Sequence, residues 1–97
     1  MASHDIVLED GETKGRYVLR QEGGEEAEIT FSRVNPTKII VDHTGVPEGL
    51  RGQGVGRALA QHVVDDARAK GISIIPLCPF FKALAMRRDD WQDVVEL

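Results

Sequence analysis

The stretch Arg51-Gly52-Gln53-Gly54-Val55-Gly56-Arg57 constrains this chain more than any other part of it. An extended apolar run at residues 38–46 precedes it. Residues 55–70 follow, with apolar side chains at 55, 58, 59, 63 and 67, close to helical spacing. A chain that leaves a strand, turns through glycines and enters a helix presents unpaired N–H groups at the helix start. With the positive end of the helix dipole, those donors form an anion site. Glycines also serve tight turns, so the loop reads as a phosphate cradle or as a turn alone. Arg51 and Arg57 suit phosphate as well as solvent.

The rest of the chain arranges itself around this loop. Residues 1–14 are polar and read as a loosely ordered lead-in, in which Ile6-Val7-Leu8 is a short strand or a frayed segment. Residues 16–20 are β-prone, and Gly23-Gly24 marks a hairpin turn. Residues 27–34 alternate, with Ala27, Ile29, Phe31 and Arg33 on one side and Glu28, Thr30 and Ser32 on the other, as in a strand with one wet face. After a turn at Asn35-Pro36-Thr37, Ile39-Ile40-Val41 is apolar on both faces and predicts a central strand buried on two sides. Gly71 stops the first helix, residues 72–77 form a short buried strand, and Pro79 opens a second helix with Phe80, Phe81, Leu84 and Ala85 as its apolar stripe. Asp89-Asp90-Trp91 is a last helical turn, with Trp91 in packing. The expected fold is α/β or α+β, an antiparallel meander leading into a parallel βαβ unit with helices covering the sheet, in one domain over residues 1–97. Ligands of such sheets gather where parallel strands end and part, which would bring the loop and Cys78 close together.

Net charge of −4 argues against a general nucleic-acid binder or a basic membrane-surface protein. One cysteine gives no disulfide framework, and no run of membrane-spanning length or signal-peptide pattern is present, so the default location is the cytoplasm. The histidines, cysteine and carboxylates form no metal-ligand cluster.

Known phosphate loops can be tested in turn. Gly49 and Gly54 have P-loop spacing, but Val55 stands where lysine is required; counting from Gly52, Arg57 stands where the dinucleotide fingerprint needs its last glycine. The pattern that fits is [Q/R]-x-x-G-x-[G/A], through Arg51, Gly54 and Gly56. Here the chain resembles the GNAT superfamily of N-acetyltransferases. His43-Thr44-Gly45-Val46-Pro47, Leu77-Cys78-Pro79-Phe80 and Trp91-Gln92-Asp93-Val94-Val95 resemble a short single-domain branch of it, with the likeness running from about Tyr17 onward. The resemblance implies a minimal GNAT-like fold binding acetyl-coenzyme A, with the loop amides of residues 52–57 on the pyrophosphate and the pantetheine between diverging central strands. Val46, Arg51, Gly52, Gln53, Gly54, Val55, Gly56, Arg57, Cys78, Phe80 and Phe81 are the candidate coenzyme contacts. Two departures stand out. The branch often carries an acidic residue where this chain has Gly45, and many superfamily enzymes protonate the leaving thiolate with a tyrosine where this chain has Phe80 and Phe81.

Two side chains are candidates for the chemistry. Cys78 sits at a strand end and a helix start, where it would accept the acetyl group covalently or polarise the thioester; lone cysteines are otherwise small buried hydrophobes. His43, expected on the Ile39–Val41 face, is a candidate base for the amine or a structural histidine. The expected activity is acetyl transfer from acetyl-coenzyme A to a small amine or a protein amino group, by a monomer or weak dimer. A coenzyme A-binding module with little catalysis, and a domain binding another phosphate ligand, are the alternatives.

Overall fold

The computed structural model describes residues 5–20 and 24–97. Strands β1 (Asp5–Asp10), β2 (Lys14–Arg20), β3 (Glu26–Asn35) and β4 (Lys38–Gly45) form an antiparallel meander, and β5 (Ser73–Pro76) pairs parallel with β4, so sheet order follows chain order. Helix α1 (Val55–Lys70) is the crossover between β4 and β5, and α2 (Pro79–Met86) follows β5. Short 3-10 turns lie at Glu48–Leu50 and Asp89–Trp91. The α+β architecture is the one expected. Of the lead-in residues, 5–10 form β1, paired with β2 along its length, with Ile6 and Leu8 against the core. The turn expected at Gly23-Gly24 lies partly outside the described residues; Gly24 has the left-handed φ of 84°.

Helix α1 has the limits its sequence sets. It begins after Gly54 and ends at Gly71, whose left-handed φ of 69° lets its N–H reach the carbonyls of Ala67 and Arg68. Leu59, Ala60, Val63, Val64 and Ala67 are buried against β2, β3 and β5, and a Leu or Val buried in this way contributes about 1.5–3 kcal/mol. A polar clamp joins helix to sheet: the hydroxyl of Tyr17 on β2 donates to Oδ2 of Asp66 at 2.7 Å. Burial, then the hydrogen bond to Asp66, hold the phenol above its ordinary range. Burial also pushes the Asp66 carboxyl up, but hydrogen bonds from Tyr17 and Lys70 outweigh it and leave the group below its ordinary value.

The two-sided burial expected for β4 is not found. Both helices lie on one face of the sheet, where Ile39 and Val41 join Tyr17, Leu19, Ile29, Phe31, Phe81 and Trp91 in one core. Ile40 is only half-buried on the other face, which carries Arg16, Glu28, Thr30, Ser32 and Asp42. Among the described residues, Val18 is the one fully buried apolar residue there, paired with Val7 and Glu28 and flanked along β2 by Arg16 and Arg20.

Strand β4 is also irregular. Phe31 pairs with Val41 but Thr30 pairs with His43, so Asp42 is an extra residue, a β-bulge. Its carboxylate accepts hydrogen bonds from the hydroxyls of Thr30 and Ser32, which holds it on the outer face. Beyond the bulge the alternation is inverted. The parallel ladder to β5 ends in the same place, at Val41–Pro76, where the amides of both Leu77 and Cys78 donate to the Val41 carbonyl at 3.0 and 2.9 Å. From there β4 stays with β3 and the chain after β5 turns away into α2. The outer edge of β5 is covered by the tail: Ile74 donates to Val94 O and accepts from the Glu96 amide, each at 2.8 Å. No described helix is long and apolar enough to cross a membrane.

Candidate functional site

The glycine loop is built around backbone shape. Gly52 and Gly54 have φ of 82° and 74°, a region that costs a residue with a Cβ about 1–2 kcal/mol. A Cβ on either would meet no atom within 4 Å, so the space over the loop is open. Helix α1 starts without a capping side chain and without an acidic residue in its first turn. Its first internal bond runs from Ala58 N to Gly54 O, leaving the amides of Val55, Gly56 and Arg57 with no acceptor in the helix. Gln53 braces the loop from below, Nε2 donating to Gly49 O at 3.1 Å, and Arg51 Nε donates to Val46 O at 3.3 Å. Among the described residues, Arg16, Arg20, Arg33, Arg68 and Arg88 each pair with carboxylates, whereas Arg51 and Arg57 at the loop, and Arg87 at the end of α2, have none within pairing distance.

These groups open onto a cleft of about 560 Å³. Eight of the eleven candidate coenzyme contacts line it: Val46, Arg51, Gly52, Gly54, Val55, Gly56, Arg57 and Phe80. Thr44 and Leu50, which the sequence reading did not single out, line it as well. Phe80 is partly exposed and its ring abuts Gly56, where a Cβ would lie 2.8 Å from Cζ; a small residue at 56 is what lets the ring close over the helix start. Phe81 faces away, fully buried and stacked on Trp91 with ring centroids 5.7 Å apart, because consecutive residues of a helix point about 100° apart. Gln53 is turned back onto the loop as described.

Cys78 and His43 have different surroundings. Cys78 is buried at 4% exposure and does not line the cleft. It caps α2 by position, not through its side chain. Its Sγ lies 3.4 Å from Oγ1 of Thr44, and Thr44 reaches the cleft. The pair spans the point where β4 and β5 part. His43 is exposed and off the Ile39–Val41 face: it pairs with Thr30 on the outer face, because the Asp42 bulge shifts the alternation by one residue. The same shift turns Thr44, paired with Ile29, toward the cleft. Period-two counting across β4 therefore passes over Thr44, and a conspicuous Asp flanked by apolar and polar runs was the one available sign of a bulge. Tyr17, the chain's single tyrosine, is held by Asp66 in the core, so no phenol stands at the cleft.

Comparison with known proteins agrees with this arrangement. A family model described as GCN5-related N-acetyl-transferase matches residues 16–94. The NMR solution structure of a GCN5-like protein from Staphylococcus aureus is similar at a TM-score of 0.70 and 38% identity, over 93% of this chain and 87% of that one. No curated protein matches the chain. With the family model spanning the meander from β2, the glycine loop and both helices, the chain belongs to the GCN5-related N-acetyltransferase family.

Proposed function

We propose that the protein transfers an acetyl group from acetyl-coenzyme A to an amine. The observation that carries this reading is the uncapped start of α1, opening, with two arginines that have no carboxylate partner among the described residues, onto a cleft at the parting of β4 and β5. The open space over Gly52 and Gly54 fits a diphosphate, and the β4 edge beyond Val41 offers backbone groups to an extended amide-bearing arm. The bound coenzyme supplies an activated acyl carbon and a thiolate leaving group.

The chain's own residues do the rest. The amides of residues 52–57 bind and orient, with Arg51 and Arg57 adding charge. Val46, Leu50, Val55 and Phe80 line the cleft with apolar surface that excludes water. Thr44 carries the single side-chain hydroxyl among the lining residues, and it hydrogen-bonds the departing sulfur with the Cys78 thiol behind it. Cys78 acts through Thr44, not as a covalent acceptor, since its sulfur is shut off from the cleft. The second reading, a coenzyme A-binding module with little turnover, is favoured by one observation: the only tyrosine is committed to Asp66.

Titration calorimetry with acetyl-coenzyme A, coenzyme A and ATP tests binding, and thiol release with a panel of primary amines tests transfer. Saturable binding of both coenzyme forms, with ATP weaker, and thiol release are expected; binding without release selects the second reading, and no binding overturns both. Thr44→Val is expected to lower kcat about tenfold or more with coenzyme affinity unchanged, the cost of losing one positioned donor. An acetyl adduct on Cys78, trapped and read by mass spectrometry, would replace this mechanism with a covalent one.

A further inference from the structure

A second cavity, of about 400 Å³, lies on the outer face of the sheet, lined by Arg16, Glu26, Glu28, Gly45, Val46 and Pro47. Val46 lines this cavity and the cleft alike, so the two approach one point from opposite faces of the sheet. Gly45 lines the outer cavity next to Val46. It pairs with Glu28 across the strands, and a Cβ on it would lie 3.5 Å from His43 Nε2 and 3.8 Å from Glu28 Oε2. A bare glycine thus leaves one spot bordered by a carboxylate oxygen and an imidazole nitrogen. Oε1 of Glu28 is engaged by Arg16 Nη1 at 2.7 Å, which holds the carboxylate in place while Oε2 points at that spot. Arg16 does not make the cavity cationic. Among the described residues, Glu9, Glu26 and Glu28 share Arg16 and Arg20, so these five groups keep one excess negative charge.

We propose that this outer cavity is the acceptor site and takes a cationic primary alkylamine, its ammonium held by Oε2 of Glu28 beside His43. The proposal rests on the acetyl-transfer reading above. Glu28, from the neighbouring strand, supplies the carboxylate that position 45 of β4 lacks. The ammonium gives one proton to Nε2 of exposed His43, which passes it to water. The freed lone pair forms the C–N bond as the C–S bond breaks, and the second nitrogen proton leaves with the sulfur as thiol.

The test has two arms. In the first, amide NMR follows a titration with n-butylammonium and with cadaverine, neither of which requires coenzyme. Shifts centred on Glu28, Gly45 and Val46 are expected in the native protein. They should be lost in Glu28→Gln and in Gly45→Val, which adds bulk beside Glu28 and His43 without touching the charge, and 1-butanol, which carries no ammonium, should produce none of them in any variant. In the second, thiol-release kinetics are run with free cadaverine and with a lysine-containing peptide, the two sources of the same ammonium. Glu28→Gln should raise the KM for the amine about tenfold or more with the KM for acetyl-coenzyme A unchanged, a loss Glu28→Asp partly restores; His43→Gln should lower kcat. Equal shifts in native and Glu28→Gln protein, or amine kinetics indifferent to both substitutions, would overturn the acceptor site while leaving calorimetric coenzyme binding intact. Failure of coenzyme binding, with the amine shifts present, would instead strike the acetyl-transfer reading.

Discussion

The meander and the glycine loop treat their polar groups in opposite ways. Across β1, β2 and β3, guanidinium groups are matched to carboxylates: Arg16 to Glu9 and Glu28, Arg20 to Glu9 and Glu26, Arg33 to Asp10. Tyr17 and Asp66 satisfy one another beneath, and among the described residues no buried side-chain nitrogen or oxygen lacks a partner. At the loop, Arg51 and Arg57 have no carboxylate partner among the described residues, and the start of α1 has no side-chain cap. What sets the loop apart is that its two arginines stand beside an uncapped helix start at one cleft, the arrangement the proposed coenzyme site needs. Loss of the Tyr17–Asp66 clamp should therefore act on stability, and changes at the loop on affinity.

The largest effect is expected at Gly54. Gly54→Val forces a β-branched side chain into a left-handed φ and into the open space over the loop, and calorimetry should show coenzyme affinity down about 100-fold, some 2.7 kcal/mol, with further loss of stability from backbone strain. An unchanged affinity would remove the loop from the binding site. Tyr17→Phe comes next and should act on stability alone. Urea unfolding at pH 7 should show a loss of about 1.5–3 kcal/mol, as for a hydrogen bond to a charged group, with coenzyme binding retained.

The same pair sets a pH dependence. The Asp66 carboxyl is lowered in the folded protein, so its contribution is complete above the unfolded carboxylate pKa near 3.9 and is lost as pH falls through the lower folded value. The difference between native protein and Tyr17→Phe should accordingly narrow below about pH 4. If it widens, the assignment of Asp66 as acceptor fails. Arg57→Ala is a smaller change, about tenfold in coenzyme affinity, easing as salt is added, and without effect on the unfolding midpoint. Smallest of all is Arg20→Ala: the side chain is exposed and its partners keep Arg16, so neither midpoint nor affinity should move measurably. A clear loss of stability there would mean that the ion-pair lattice matters more than its exposure suggests.

Much of this molecule was legible in the sequence because local signals agree with the tertiary structure. Apolar periodicity and Gly71 gave α1 its limits, Pro79 opened α2, and Gly52 and Gly54 of the loop occupy the left-handed positions that favour glycine. What was not legible depends on contacts distant in the chain. The triplet Ile39-Ile40-Val41 reads as two-sided, yet no helix covers the side of Ile40, and only the placement of both helices on one face decides that. His43 was expected on the core side because Asp42 was counted as an ordinary strand residue. The bulge exists because Thr30 and Ser32, on another strand, hold its carboxylate. Thr44 and Glu28 were passed over for related reasons: one is re-aimed by the bulge, and the other meets Gly45 only through strand register. Phe80 and Phe81 looked equivalent as neighbours, but one lies at the cleft and the other in the core.

The extra residue at Asp42 makes the sidedness of the last stretch of β4 a matter of parity. Were the bulge to be drawn flat with Asp42 kept and paired to Thr30, the residues beyond it would exchange faces: the imidazole would be pressed into oil and the threonine hydroxyl would face the bulk solvent; deleting Asp42 would instead leave both where they are. A one-residue insertion after the bulge should thus be far more disruptive than loss of Asp42 itself, because it rotates a whole set of side chains at once.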